Sequence, residues 1–225
     1  MTELRVYLPI FDLQPQFAAY LSSPLRARGY PPFVGQNSLI VEVAPSLSIH
    51  RITDLALKAA PNMEPGILFT ERQFGLLELH SSDRSEIEEA GQAILDGIGA
   101  SPKDQFAPST LFVDIIENIS DQHAIILNRS RDASILVPGT SLLLYELAPA
   151  LFACAAANEA ERAAPGAVIN DVQMMGATGR VFLSGSADEL ERARIAIETT
   201  LEKIDGRRPD APVKIPTGSR KRRNP

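Results

Sequence analysis

The chain has 225 residues, 44% of them apolar and 22% charged, with a net charge of −6, the profile of an ordinary globular protein. No apolar run approaches the roughly 18 residues that a membrane helix needs, and MTELRVYLPIFDLQP is acidic where a signal peptide would be basic, so the reading is a cytosolic protein. One cysteine, Cys154, and three histidines at no ligand spacing (His50, His80, His123) point to no disulfide framework, no metal and no cofactor.

In chain order, Leu4, Val6, Leu8 and Ile10 alternate with less apolar neighbours, which predicts a strand with one buried face, and LQPQFAAYLSS predicts a short helix. SLIVEVAP is β-rich and stops at Pro45. In SIHRITDLALKAA, Ile49, Ile52, Leu55, Ala56 and Ala59 fall at helical spacing, leaving Asp54 and Lys58 one turn apart on the opposite face. GILFTERQFGLLELH reads as two strands around a turn at Glu71 to Gly75, and SEIEEAGQAILDGIG as an amphipathic closing helix. The order β-α-β-α-β-β-α predicts an α+β layer, one sheet covered by helices.

This order occurs twice. Residues 35–61 align without a gap on 139–165 at a constant offset of 104, with ten of the 27 pairs identical, among them Gly35/Gly139, Glu42/Glu146, Pro45/Pro149 and Pro61/Pro165. The offset carries Gly75 onto Gly179, and LRVYLPIFD (4–12) resembles LFVDIIENI (111–119). The expected units are residues 1–102, residues 103–204 and a disordered basic tail, 205–225, whose seven Lys/Arg against two Asp leave a body of charge −11. Such a body argues against a nucleic-acid-binding face. RKRR (Arg220 to Arg223) reads as a solubilising end or a contact for an anionic partner.

ELRVYLPIFDLQPQFAAYL, VEVAPSLSIHRITDLALKAAP, TERQFGLLELH and LYELAPALFACAAANEAERAAP resemble the bacterial microcompartment shell proteins, in the tandem, circularly permuted form that builds trimers. The likeness extends to the stacked-trimer, gated-pore members of carboxysome-like shells. It implies two permuted shell domains, each one antiparallel-rich sheet covered by helices, with three chains forming a pseudohexameric tile that can stack as a dimer of trimers. Tiles would meet other shell proteins, hexamers and pentamers, at their edges. The implied role is structural, with passage of metabolites through a central pore, no catalysis, no nucleic acid and no membrane.

The resemblance assigns pore positions to Glu71, Arg72, Gln73, Phe74 and Gly75 in the first copy and to Met175, Gly176 and Ala177 in the second. Glu71 and Arg72 correspond to the family's gate pair. Arginines turned inward onto neighbouring glutamates would seal the hole, and folded back they would open it, with Gly75 and Gly176 letting backbone approach the axis. It also places Asp54 and Lys58 at the tile edge, with Asn158 and Arg162 in the second copy keeping the cation and dropping the acid.

Two other readings stand beside this one. A trimeric small-molecule sensor would share the α+β build. Gly176-Ala177-Thr178-Gly179 resembles the GXXG loop of a KH RNA-binding domain, but that loop joins two helices, whereas this one runs into the apolar Val181-Phe182-Leu183. Glu86, Glu88 and Glu89 read as a solvated helix face, and His80 has no acid at a recognisable triad spacing.

Overall fold

A computed structural model describes residues 2–23 and 29–208. The first copy folds as β1 (Glu3–Ile10), α1 (Pro15–Leu21), β2 (Asn37–Ala44), α2 (Ser48–Ala59), β3 (Glu64–Thr70), β4 (Gly75–Ser81) and α3 (Arg84–Ile98). After a single 3-10 turn, the second repeats it as β5 (Ser109–Ile116), α4 (Asp121–Asn128), β6 (Ser141–Ala148), α5 (Phe152–Ala163), β7 (Val168–Gln173), β8 (Gly179–Gly185) and α6 (Ala187–Glu202). Two antiparallel four-stranded sheets result, ordered β1-β2-β4-β3 and β5-β6-β8-β7.

Local chemistry sets the element ends. Asp83 accepts from Ser85 N at the start of α3, and Gly99, at φ 67°, closes that helix in the left-handed region. Ser186 and Glu189 form a capping box on α6. Asp12 (φ 60°) and Asn118 (φ 50°) make the same turn after β1 and β5, where short polar side chains tolerate a positive φ. Each copy follows its second strand with a cis proline, Pro45 or Pro149.

The strand pairing corrects one alignment. Glu3 lies opposite Ala44 and Ser109 opposite Ala148, so the first strands correspond at an offset of 106, one less than the match of 4–12 to 111–119. A bulge between Leu4 and Val6, repeated between Thr110 and Phe112, breaks the period-2 pattern that the match relied on.

The two sheets are covered differently. On the first, Leu39, Val41, Val43, Leu77 and Leu79 pack with Ile49, Ile52, Ile87 and Ile94 of α2 and α3. Its other face, through Val6, Leu8, Ile10 and Ile40, joins α1 and the second copy's α5 in one continuous core. Helix α5 is therefore buried nearly all round, from Phe152 through Asn158 and again at Ala160 and Glu161. Its alanines leave room for close approach on both sides. The same outer face of the second sheet carries only a small cluster, Ile119, Ala124, Leu136 and Leu142.

The basic tail predicted from residue 205 begins in ordered structure: Arg207 bridges to Phe106, and its backbone exchanges hydrogen bonds with Gln105 and Ala107. Arg220 to Arg223 lie outside the described residues.

Candidate functional site

The residues expected at a pore lie on two equivalent hairpins. In the first, Glu71 N donates to Phe74 O at 2.8 Å and closes a turn between β3 and β4, with Arg72 and Gln73 exposed at its tip and Glu71 and Phe74 half-buried. In the second, Ala177 is exposed, Met175 and Gly176 are half-buried, and Gly176 takes φ 107°. This GXXG segment joins two antiparallel strands, β7 and β8. Met174 is buried with its sulfur 3.9 Å from Cys154 Sγ.

Each hairpin is tied to a glutamate on the central strand of its sheet, Glu42 or Glu146, but by different cations. Glu42 accepts from Arg5 Nε of β1 at 2.8 Å. Glu146 accepts from Thr178 Oγ1 at 2.8 Å and from Arg180 Nε of β8 at 3.1 Å, and Arg180 also donates to Gln173 at 2.9 Å. The surroundings move the two carboxyls in opposite directions. Burial pushes the pKa of Glu42 up, with the charge of Glu71 adding to the rise and Arg5 opposing it. The Thr178 hydrogen bond, with help from Arg180, holds Glu146 below its ordinary value.

Packing within the chain demands glycine at Gly75 and Gly179. A Cβ at Gly75 would stand 2.3 Å from Ser46 O, and one at Gly179 2.2 Å from Ala150 O, so both are required by the turn that follows the central strand of their own sheet.

Across the seam between the copies, α1 is capped by the other module. The Gln16 and Phe17 amides, free because they open the helix, donate to the two oxygens of Glu161 at 2.8 and 2.9 Å, and Gln14 N donates to Asn158 Oδ1 at 2.9 Å. Arg162 Nη1 reaches Asp12 Oδ2 at 2.7 Å, and Nη2 the carbonyls of Phe11 and Asp12 at 3.0 and 2.9 Å. Asn158 is thus buried rather than at a tile edge, and Arg162 clasps the seam while remaining partly exposed. Lys58 and Asp54 stand in solvent, paired at 2.6 Å.

Residues 4–104 match the family model described as the CsoS1D N-terminal domain. The carboxysome shell protein CcmP of Synechococcus elongatus is 38% identical over 91% of this chain and 94% of its own, and the carboxysome shell protein CsoS1D of Prochlorococcus marinus is 38% identical over 90% and 78%. This chain belongs to the family of carboxysome shell proteins. Among solved structures, it resembles the double-ringed trimeric shell protein of the RMM microcompartment (56% identity, TM-score 0.89, 93% of this chain and 100% of that one). It also resembles the fused permuted hexameric shell protein of the same compartment (41% identity, TM-score 0.86, 92% and 100%).

The two tandem sheets are therefore permuted shell domains, and the protein is a structural component of a microcompartment shell. Sequence reasoning missed Arg5 as the partner of Glu42 and Glu161 as the cap of α1. Glu42/Glu146 is an identical acidic pair inside two apolar strands, which is a signal for a buried counter-charge. His80, expected without an acid, is buried with Nδ1 3.2 Å from Glu78, two residues back on the same strand face, and Nε2 3.5 Å from Glu64. Ser38 Oγ donates to Glu78 at 2.7 Å, so Glu78 is held from two sides in the core, while His80 Nε2 has no hydrogen-bond partner among the described residues. Among the described residues, no group of three or more His, Cys, Asp or Glu is placed to hold a metal ion.

Proposed function

We propose that three copies of this chain close into a ring of six modules, the units being residues 1–102 and 103–204, with the β3–β4 and β7–β8 hairpins around its axis. The observation that carries this is the unequal cover of two equivalent surfaces. Val6 and Tyr20 are 0% and 3% exposed beneath the second module, whereas their counterparts Phe112 and Ile126 are 50% and 64% exposed. A surface that one module buries and its repeat leaves bare is completed by the same contact from a second copy, α2 of one chain taking the place that α5 holds within the chain. Such head-to-tail contacts generate a closed ring when the rotation permits.

Within that ring Glu71 and Arg72 form the latch of a central pore. Each chain brings one Glu-Arg pair, and the second hairpin offers only Met175, Gly176 and Ala177, so charge alternates around the opening. An exposed ion pair contributes about 0–1 kcal/mol, which lets a bound anion or a stacked partner ring shift the balance. The double-ringed architecture named for the RMM relative supports stacking of two such rings. The tile meets neighbouring shell proteins at its perimeter, where Lys58 and Arg162 supply cations, and it catalyses no reaction.

The ring is tested by the mass of the protein in solution. The native chain is expected as a trimer or a pair of trimers, and Ile126→Glu as a folded single chain; a monomeric native protein, or an unchanged assembly in the variant, would overturn it. The latch is tested by imaging Arg72→Ala, expected as an intact ring with its opening no longer sealed. An identical opening in native and variant rings would remove the latch.

A further inference from the structure

Between the first hairpin and the segment after α6 runs a stack of alternating guanidinium and aromatic groups. The Arg5 guanidinium lies 3.7 Å from the centre of the Phe74 ring and 5.0 Å from that of Phe106, and the Arg207 guanidinium lies 3.7 Å from Phe106. Each cation is also paired, Arg5 with Glu42 at 2.8 Å, and Arg207 with Glu3 and, at 2.9 Å, with the Asp104 carbonyl. Backbone bonds hold the middle of the stack: Phe106 N donates to Arg5 O at 3.0 Å, Arg207 N to Gln105 O at 2.8 Å and Ala107 N to Arg207 O at 2.8 Å. Gln105, buried, accepts from Tyr7 N at 2.8 Å and donates to Asp205 O at 3.2 Å.

Among the described residues, the second hairpin has no such stack. Leu111 stands at the counterpart of Arg5 and Thr178 at that of Phe74, and the tie to Glu146 is made by Thr178 and Arg180. The first hairpin alone is therefore linked to the other end of the described chain.

We propose that Arg5 is a positioning residue for the first hairpin, and that Arg207, acting through Phe106, makes the position of that hairpin depend on the docking of residues 205–207. The functional weight of this rests on the reading that the hairpin carries the pore pair. Arg5 holds the Phe74 ring, Phe74 O closes the turn on Glu71 N, and Arg72 follows directly. A ring can slide beneath a guanidinium and keep much of the attraction, so the contact biases the turn without locking it. Arg5 also supplies the counter-charge of Glu42, which feels the charge of Glu71. Without Arg5 the two carboxylates repel, and Glu71 is driven away from the sheet.

A spin label at Gln73→Cys reads the turn, since Gln73 is exposed and the native Cys154 is buried and does not compete for the label. In the full-length protein, Arg5→Leu is expected to sharpen the spectrum most, Arg207→Ala less, and Arg5→Lys, which keeps the charge and loses the planar stack, in between. If Arg5→Leu changes the mass of the assembly, Phe106→Leu gives the same reading with both cations kept. Spectra unchanged in Arg5→Leu and Arg207→Ala overturn the proposal, and a response to Arg5→Leu alone overturns the coupling to the C-terminal segment. The label reports motion of the turn whether or not the turn borders a pore, so failure of the pore reading is seen separately in the Arg72→Ala rings.

Discussion

The two modules share element order, strand register, a cis proline and a hairpin glycine, yet they solve one problem in opposite ways. Helix α1 has no side-chain cap of its own and borrows the Glu161 carboxylate across the seam. Helix α4 carries its own cap, Ser120, whose Oγ accepts from His123 N at 3.4 Å. The counterpart of Glu161 on α2 is Leu57, which has no acceptor to lend. Duplication thus copied the fold, while the seams diverged: the one inside the chain is built from buried charge-assisted bonds, and its repeat, exposed in the single chain, lacks the bridging carboxylate.

The largest effect expected from that contrast lies at the borrowed cap. Glu161→Leu, which copies residue 57, strips the acceptor from two amides and should lower stability by about 2–3 kcal/mol in thermal or denaturant unfolding. Ser120→Ala should cost about 0.5–1 kcal/mol, since it removes one long bond at an exposed helix end. Equal losses would break the contrast between the seams.

A smaller difference is expected between the two cations. Arg162→Ala removes contacts to Asp12 and two carbonyls and should cost about 1 kcal/mol. Lys58→Ala, measured on single chains kept apart by Ile126→Glu, should stay within about 0.5 kcal/mol because its pair with Asp54 is solvated. A Lys58 effect as large as that of Arg162 in such chains would place it in a seam within the chain.

The smallest effect is in titration. Side-chain carboxyl NMR should find Glu42 titrating above the ordinary glutamate range and Glu146 below it. The signs for stability are opposite. The raised Glu42 favours folding in its protonated form, a contribution present at acid pH and lost as pH rises through its folded value. The depressed Glu146 contributes above its unfolded value, and that contribution is lost as pH falls through its folded one. Matching titrations would mean that the two hairpins sit in the same electrostatic setting.

Much of this architecture was legible in the residues. Gly35/Gly139, Pro45/Pro149 and Pro61/Pro165 punctuate both copies at one offset, and the helical spacing of Ile49, Ile52 and Ala56 finds the buried face of α2. The seam was not legible. In α5 a run of alanines gives no apolar stripe, because nearly every side of the helix is covered; Asn158 was expected at the tile edge and Glu161 carried no signal, for want of any sign of the amides they serve. The packing need for Gly75 was not legible either, because the Ser46 O that a Cβ there would meet comes from a turn 29 residues away in sequence. The Arg5 stack was hidden for the same reason, since Phe106 and Arg207 approach it from the linker and from beyond α6. A cavity of about 30 Å³ beneath α4, lined by the unpaired Arg131 Nε, Asn170 Oδ1 and Asp171 Oδ1, is room for water that no sequence pattern announces.

The central claim is that the open face of the second module receives α2 of another copy as the first module receives α5. Gln14 and Asn158 touch across the internal seam, and their counterparts are Ser120 and Asp54. Oxidising a Ser120→Cys, Asp54→Cys protein should link chains into a closed species of three and no further. A chain that stays single under oxidation, or one that builds a ladder past three, would contradict the claim.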